Sequence, residues 1–217
     1  MNCIEYSNNI RENHPARLMS ISRRKLVHGI AINDADYTVC PTIGRKKVCC
    51  PAYISWHNML MRVFSSAYHE KQPTYIGCTV DDEWLKFSIY RKWWVNNSVD
   101  GWHLDKDFIL PGNKHYSKEN CIFIPHWLSA IVSGHESKRG EFPIGVTYDK
   151  RYGLYVARCF DPRDGKKKYI GGFVDPESAA LAYKERKLFY IDAIRDRIDA
   201  IDKRLYYGIV ACVNMKS

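Results

Sequence analysis

Two connectors near the C-terminal end of the chain constrain its fold more than any other feature. Residues 149–153 (DKRYG) and 161–165 (DPRDG) contain the aspartate, glycine and proline residues that tight turns favour. They separate three short runs, at 144–148, 154–160 and 168–173, that are rich in β-branched and aromatic residues. This pattern predicts three short antiparallel strands.

A long helix is predicted after the third strand. Asp175 and Pro176 are a typical N-cap and first helical residue, and an alanine-rich segment follows them. Apolar residues then recur at steps of three and four, at Leu188, Ile191, Ile194, Ile198, Ile201 and Leu205. This stripe predicts that the helix continues to residue 205. We expect it to pack on the N-terminal part of the chain, and self-association as a homodimer through residues 188–205 is the alternative.

The N-terminal part of the chain is predicted to be mainly helical. Pro51 begins a stripe of apolar residues at helical spacing, which predicts a helix. A second helix is predicted to begin at the N-cap Asp81 and to extend through residue 94, and Pro125 opens a third. Residues 27–39 and the turn at 41–47 predict one short hairpin.

A small, polar and aperiodic stretch at 133–141 (SGHESKRGE) is typical of a linker between two compact units. The predicted class is therefore α+β, with an N-terminal helical unit and a C-terminal three-stranded antiparallel sheet packed on a long helix. No run of 18 apolar residues is present, and the first twenty residues lack an apolar secretory segment. We expect no membrane span and a cytoplasmic location.

Eight cysteines are scattered along the 217 residues, and no two form the close pairs of a zinc knuckle. The prediction is buried free thiols in a reducing compartment. A structural zinc ion held by Cys40, Cys49 or Cys50 with His57 is the less favoured alternative.

The positive charge is unevenly placed. The net charge is +9, and residues 138–174 alone carry nine basic and four acidic residues. A basic segment interleaved with aromatic residues favours a polyanionic partner.

Residues 142–187 resemble the plant APETALA or ethylene-response-factor type of DNA-binding domain. The matching residues are Gly145-Val146, Tyr155-Val156-Ala157, the 169–173 run YIGGF, and Ala179-Ala180. The resemblance implies that the sheet lies in the major groove of double-stranded DNA while the helix packs on its other face.

The residues that the resemblance assigns to DNA contact lie on the strands and in the turns between them. They are Thr147, Tyr148, Lys150, Arg151, Tyr155, Arg158, Arg163, Lys166, Lys167, Lys168 and Tyr169. Thr147 stands where that family usually has arginine, and Tyr155 and Tyr169 stand where it has tryptophan. The target sequences of the plant proteins therefore do not transfer to this chain.

Residues 27–132 resemble the phage-type HNH endonucleases, including homing enzymes, which act in a bacterial host cell and often carry such a C-terminal domain. The matching runs are 102–107 (WHLDKD), 112–114 (GNK) and 116–125 (YSKENCIFIP). The resemblance implies a ββα-metal finger that hydrolyses DNA with Mg²⁺ or Mn²⁺. Residues 1–26 and 188–217 remain as an N-terminal extension and a helical tail.

The implied catalytic residues are His103, Asp105, Asp107, Asn113 and Asn120. Asp105 and Asp107 are hard oxygen ligands at i, i+2 spacing, and His126 is the implied third metal ligand. Asn120 fits the role of tethering the loop. His103 is preferred as the base, with His115 as the alternative.

The finger departs from the nuclease pattern at two points. The histidine that usually heads the motif is missing, and Ser129 occupies a position where the family has a histidine or asparagine ligand. A non-catalytic DNA-binding protein with a degenerate finger is therefore the alternative function.

Overall fold

The computed structural model describes residues 1–132 and 141–215. It contains helices and a three-stranded antiparallel sheet, which confirms the mixed class predicted from the sequence. The chain divides into a first unit, Met1–Lys106 with Asn113–Phe123, and a second unit, Asp107–Gly112 with Ile124–Ser217. Most of the predicted linker, residues 133–140, lies outside the described residues. Within the described ranges, every helix is too short or too polar to cross a membrane.

The first unit combines helices with short two-stranded pairings. Its helices are α1 (Cys3–Asn13), α2 (Leu18–Ser22), α3 (Pro51–Phe64), α4 (Ser66–Lys71) and α5 (Phe87–Asn97), and 3₁₀ turns lie at Pro73–Tyr75 and Asp82–Leu85. Its strands are β1 (Thr42–Ile43), β2 (Lys46–Lys47), β3 (Thr79–Val80), β4 (His103–Asp105), β5 (His115–Tyr116) and β6 (Ile122–Ile124). The pairs are β1 with β2, β3 with β5 in parallel, and β4 with β6.

Helix α3 supplies the centre of the core of the first unit. Trp56, Met59, Leu60 and Val63 of its predicted stripe are buried, and Trp56 and Leu60 are fully inaccessible, whereas Phe64 at the end of the stripe is exposed. The Trp56 indole Nε1 donates a hydrogen bond of 2.7 Å to the carbonyl oxygen of Trp84. The buried N–H therefore has a partner, and the ring packs against Phe87 at 5.3 Å between centroids.

The helix predicted from Asp81 to residue 94 is wrong in its first part. Residues Asp82–Leu85 form a 3₁₀ turn, Lys86 is extended, and α5 begins only at Phe87. The cause is tertiary, because the N–H of Ile32 bonds to the Leu85 carbonyl and the N–H of Phe87 bonds to the Ile32 carbonyl. Ile32 thus takes backbone groups that a continuous helix needs.

The predicted hairpin and the predicted free thiols both need correction. Residues 27–39 form only isolated bridges, and the hairpin is β1 with β2, inside the segment predicted as a turn. Its antiparallel pairing brings Cys40 and Cys49 together as a disulfide, so the free-thiol prediction is wrong for this pair. Two of the three sulfur atoms that the zinc alternative offered, those of Cys40 and Cys49, are bonded to each other, and the third belongs to the buried Cys50. Four other cysteines, Cys50, Cys78, Cys121 and Cys159, are buried as predicted.

The second unit contains the predicted three-stranded sheet. Its elements are α6 (His126–Val132), β7 (Val146–Asp149), β8 (Leu154–Asp161), β9 (Lys166–Phe173), α7 (Pro176–Asp192), α8 (Arg195–Asp199) and α9 (Lys203–Met215). The strand order is β7-β8-β9, antiparallel throughout. Gly153 and Gly165 close the two connectors at φ +66° and +71°, a conformation that glycine adopts without strain.

The single long helix predicted to residue 205 is wrong. The chain forms three helices, with breaks after Asp192 and Asp199. Ile194 leaves the helical conformation at φ −115° and ψ 14°, and the Asp202 carboxylate accepts the Arg204 N–H at 2.8 Å to start α9. Ile191, Ile194, Ile198 and Leu205 of the stripe are buried because the helices fold back on one another within the second unit.

A close backbone approach in the second unit fixes helix α9 against residues 107–112. A Cβ atom placed on Gly208 would lie 1.7 Å from the carbonyl oxygen of Phe108. Only glycine permits this contact, since real Cβ atoms do not approach an oxygen so closely.

Candidate functional site

Strand β4 of the first unit carries two of the predicted catalytic residues. Leu104 is buried, whereas His103 and Asp105 are half-buried at the positions before and after it. Because side chains alternate along a strand, His103 and Asp105 share the face opposite Leu104. The structure therefore brings one imidazole and one carboxylate to the same face of β4.

Asn113 fixes the two ends of the loop that follows β4. Its side-chain Nδ2 donates to the carbonyl oxygens of Lys106 at 2.7 Å and His115 at 2.8 Å, and its Oδ1 accepts the His115 N–H at 3.0 Å. This is the tethering role that the sequence assigned to Asn120. The Asn120 backbone N–H instead donates to Ser117 Oγ in the turn between β5 and β6.

Lys106, which sequence reasoning left without a role, lies at the centre of this arrangement. Its side chain is only 6 % exposed, and Nζ donates to the Asn113 carbonyl oxygen at 2.7 Å. The ammonium also lies 5.8 Å from the centre of the Tyr116 ring. A lysine between two aspartates in the sequence is usually exposed to solvent, so the sequence around Lys106 did not indicate that its side chain is buried.

His115, the alternative base, has both ring nitrogens engaged. Nδ1 lies 2.8 Å from Thr79 Oγ1, and Nε2 donates to Asp81 Oδ1 at 2.9 Å. The parallel pairing of β3 with β5 places Thr79 opposite His115. Asp81, predicted as a helix N-cap, makes no side-chain capping bond and binds His115 instead. The preference for His103 as the base stays a prediction.

The predicted metal ligands are divided between the two units. Asp105 lies in the first unit, whereas Asp107 and His126 belong to the second. Within residues 1–132 and 141–215, no three histidine, cysteine, aspartate or glutamate side chains are arranged to hold a metal ion. His103 and Asp105 are two donors, whereas a closed zinc site needs four. Mg²⁺ binds one or two carboxylates together with phosphate and water, so the Asp105 carboxylate is a donor that it accepts.

The sheet of the second unit has one covered face and one open face. Val146 pairs with Ala157, and both pack on Ala179 of α7, which defines the helix side. The residues that alternate with these point away from α7. We call the exposed residues on that side the open face: Thr147, Arg158, Phe160, Lys167, Tyr169 and Gly172.

The open face combines cations with aromatic rings. Arg158 pairs across the strands with Tyr169, and Phe160 pairs with Lys167. Tyr169 is 64 % exposed and Phe160 is 41 % exposed. Among the residues that the structure describes, neither Arg158 nor Lys167 forms an ion pair. Phe160 was not among the residues predicted from the sequence to contact DNA. Its position two residues after Arg158 could have indicated that both lie on the same side of the strand.

Two tyrosines predicted to contact DNA lie on the other side of the sheet. Tyr155 precedes Ala157 by two residues, and its ring packs on Phe142 at 5.3 Å and Tyr148 at 5.0 Å. Tyr148 pairs with Tyr155 and therefore shares this side. The prediction that Tyr155 lies on the same side of the sheet as Thr147, Arg158 and Tyr169 is wrong, because side chains alternate along the strand and Tyr155 shares the side of Ala157.

The predicted cations in the turns fall into two groups. Lys150, Arg151 and Lys166 are exposed. Arg163 instead binds the Asp161 carboxylate through two nitrogens and lies 5.1 Å from the centre of the Tyr190 ring. This guanidinium holds the pKa of Asp161 at about 2. Lys168 pairs with Asp164 and lowers the pKa of that carboxyl.

No protein family, curated protein or solved structure matches this chain.

Proposed function

We propose that this chain binds double-stranded DNA through the open face of the β7-β8-β9 sheet. The observation that supports the proposal most strongly is that Arg158 and Lys167, which form no ion pair with any described residue, share one surface with the rings of Phe160 and Tyr169. Cations neutralise phosphates, and arginine also forms paired hydrogen bonds with guanine. Exposed rings pack against sugars, thymine methyl groups or bases.

Two carboxylates at the end of β8 and in the turn after it are offset by neighbouring cations, because Asp161 is bound by Arg163 and Asp164 is bound by Lys168. Asp149 accepts the backbone N–H of Arg151, a neutral donor, at 2.9 Å. The exposed Lys150, Arg151 and Lys166 at the strand ends add positive charge where the phosphates of a groove would lie. The surface is therefore suited to a polyanion with an exposed base edge.

A salt titration tests this proposal. Binding of a labelled duplex is measured at several salt concentrations for the wild type and for the double variant Arg158→Ala/Lys167→Ala. The slope of log affinity against log salt is negative, and each lost phosphate contact reduces its magnitude by about 0.9. The slope of the double variant is therefore expected to be shallower by up to about two. The control removes the same charge from β2 of the first unit, by Lys46→Ala/Lys47→Ala. Equal slopes for the two double variants contradict the proposal.

Hydrolysis of DNA is a second candidate function, supported by a separate observation. His103 and Asp105 share one face of β4, and Asn113 holds the loop that follows. In this proposal His103 accepts the proton of the attacking water, and Asp105 helps to hold a divalent ion. Such an ion, when bound, stabilises negative charge on the phosphate.

A nicking assay on supercoiled DNA with Mg²⁺ or Mn²⁺ tests the second candidate. His103→Ala and Asp105→Ala are expected to slow nicking about 100-fold or more, whereas the exposed Asp82→Ala is expected to have no effect. If the wild type does not nick, or if all the variants nick equally, the finger has a purely structural role.

A further inference from the structure

The short helix α2 of the first unit presents apolar side chains to the surface. It buries none of its five residues, and Leu18 is 85 % exposed and Met19 is 67 % exposed. Single exposed apolar residues are common on protein surfaces, whereas adjacent ones favour a contact with another molecule. Helix α2 is therefore a candidate interaction surface.

The segment that carries α2 is fixed to the rest of the first unit. At its base, the N–H of Ala16 donates to the Asp36 carbonyl at 2.9 Å. Within it, the Arg24 guanidinium donates to the carbonyl oxygens of Ala35 at 2.7 Å and Tyr37 at 2.8 Å. The exposed side chains of α2 thus project from a braced backbone, so a partner pays little to order it.

Cations stand at both ends of α2. Arg17 is its N-cap and Arg23 its C-cap, and both are exposed, as is Lys25. No carboxylate occurs in the sequence between Glu12 and Asp34. At 1.5 Å per residue the helix is about 8 Å long, which is similar to the width of about 6 Å of the DNA minor groove. The two terminal arginines are therefore spaced to meet both strands of a duplex.

The combination of charge and apolar surface distinguishes between possible partners. In a symmetric dimer, a second copy of α2 would place Arg17 and Arg23 against the same cations. Binding to anionic lipids typically uses a cluster of about four to eight basic residues or a longer amphipathic helix. Proteins that bend DNA insert leucine, isoleucine or methionine between base pairs, while arginine and lysine bind beside them. Helix α2 fits this last class best.

We infer that α2 is a wedge that enters the minor groove of duplex DNA, with Leu18 or Met19 between two base pairs and with Arg17 and Arg23 against the phosphates. The inference rests on the proposed DNA binding and adds a second contact, in the unit that does not carry the open face. Insertion of this kind kinks a duplex by about 20–90°. Pyrimidine–purine steps such as TA kink most easily, so the wedge is expected to act at such a step.

The first test measures the bend of a duplex that carries a central TA step. Energy transfer between dyes on its two ends is recorded with saturating full-length protein, and the wild type is expected to increase it. Leu18→Ala/Met19→Ala is expected to lose most of the bend and to bind about fivefold or more weakly through lost apolar contact. Both residues are exposed, so this variant keeps the fold. Ile43→Ala/Ile76→Ala removes two other exposed apolar side chains of the first unit and is expected to bend DNA like the wild type.

The second test compares the TA duplex with one in which a stiff A-tract replaces the central step. The wild type is expected to bind the TA duplex about fivefold more tightly, because the kink costs less there. Leu18→Ala/Met19→Ala is expected to bind the two duplexes equally.

The outcomes separate the wedge from the open face. A duplex that stays straight with the wild type, or a bend that Leu18→Ala/Met19→Ala leaves unchanged, overturns the inference. If the duplex stays straight and the variant loses binding to phosphatidylserine vesicles instead, the partner of α2 is an anionic membrane and the inference is also overturned.

The salt slope of Arg158→Ala/Lys167→Ala is measured on the same duplex. A straight duplex together with a shallower slope overturns the wedge and leaves the open face. A bend that depends on Leu18 and Met19, together with an unchanged slope, overturns the open face and leaves the wedge. Absence of any duplex binding overturns both.

Discussion

Lys106 and Asn113 bind each other in both directions. The Asn113 amide donates to the Lys106 carbonyl at 2.7 Å, and the Lys106 ammonium donates to the Asn113 carbonyl at 2.7 Å. The two residues close the chain across residues 107–112, and the Asn113 amide extends the link to His115. The position of β5 relative to the end of β4 therefore depends on this pair.

Asn113→Ala is expected to destabilise the protein by about 3 kcal/mol, because three side-chain hydrogen bonds are lost at about 1 kcal/mol each. Asn120→Ala is the matched control, since the hydrogen bond that Asn120 makes in its turn uses the backbone, and it is expected to cost under about 1 kcal/mol. The measurement is urea unfolding of each variant. Equal costs for the two variants would mean that Asn113 does not fix the loop.

Gly208→Ala is expected to destabilise the second unit by about 3 kcal/mol or more, because the new methyl group overlaps the Phe108 carbonyl. Helix propensity alone predicts the opposite sign, a gain of about 1 kcal/mol. Ala211→Gly, in the same helix, measures the propensity effect by itself and is expected to cost about 1 kcal/mol. A Gly208→Ala variant as stable as the wild type in thermal unfolding would refute the close approach.

The ion pair of Asp161 with Arg163 is expected to make stability depend on pH in the acidic range. The pKa of Asp161 falls from 3.8 to about 2 in the folded protein because of its bonds to Arg163. Because the carboxylate is charged more readily in the folded protein than in the unfolded chain, it adds to the free energy of unfolding above about pH 4. This contribution is lost as the pH falls towards 2 and the carboxylate is protonated in both states.

Urea midpoints at pH 5 and pH 2.5 for the wild type and Asp161→Asn measure this effect. The wild type is expected to exceed the variant at pH 5 and to lose most of that advantage at pH 2.5. An advantage that is the same at both values would show that the Asp161 carboxylate contributes no pH-dependent stability.

Tyr155 and Tyr169 are expected to respond differently to truncation because they lie on opposite sides of the sheet. Tyr155→Ala removes packing against Phe142 and Tyr148 and should cost about 2 kcal/mol of stability. Tyr169→Ala removes a ring that is 64 % exposed, so it should change stability by under about 0.5 kcal/mol and weaken duplex binding about fivefold or more. The reverse assignment of the two effects would mean that DNA binds the side that we describe as covered.

The sequence predicted those parts of the fold that depend on local chemistry. The three strands were predictable because Asp161 and Gly165 form their turn with contacts a few residues apart, as Asp149 and Gly153 do in theirs. Asp175 was predictable as a cap because it binds Ser178, three residues away.

The parts that depend on distant contacts were not predictable. The break at Lys86 requires Ile32, and the burial of Lys106 requires the carbonyl of Asn113. The apolar stripe from Leu188 to Leu205 keeps its helical spacing through both breaks, so periodicity alone could not locate them. In the site, spacing placed His103 and Asp105 on one face, but only the pairing of β3 with β5 showed that His115 is bound to Asp81.

Photocrosslinking to a matched duplex tests the central claim, that the open face contacts DNA, most directly. Thymines across the duplex are replaced by 5-iododeoxyuridine, which crosslinks to aromatic side chains in contact, and the crosslinked peptides are identified by mass spectrometry. We predict crosslinks at Phe160 or Tyr169. Crosslinks confined to Tyr148, Tyr155 or residues of the first unit would contradict the claim.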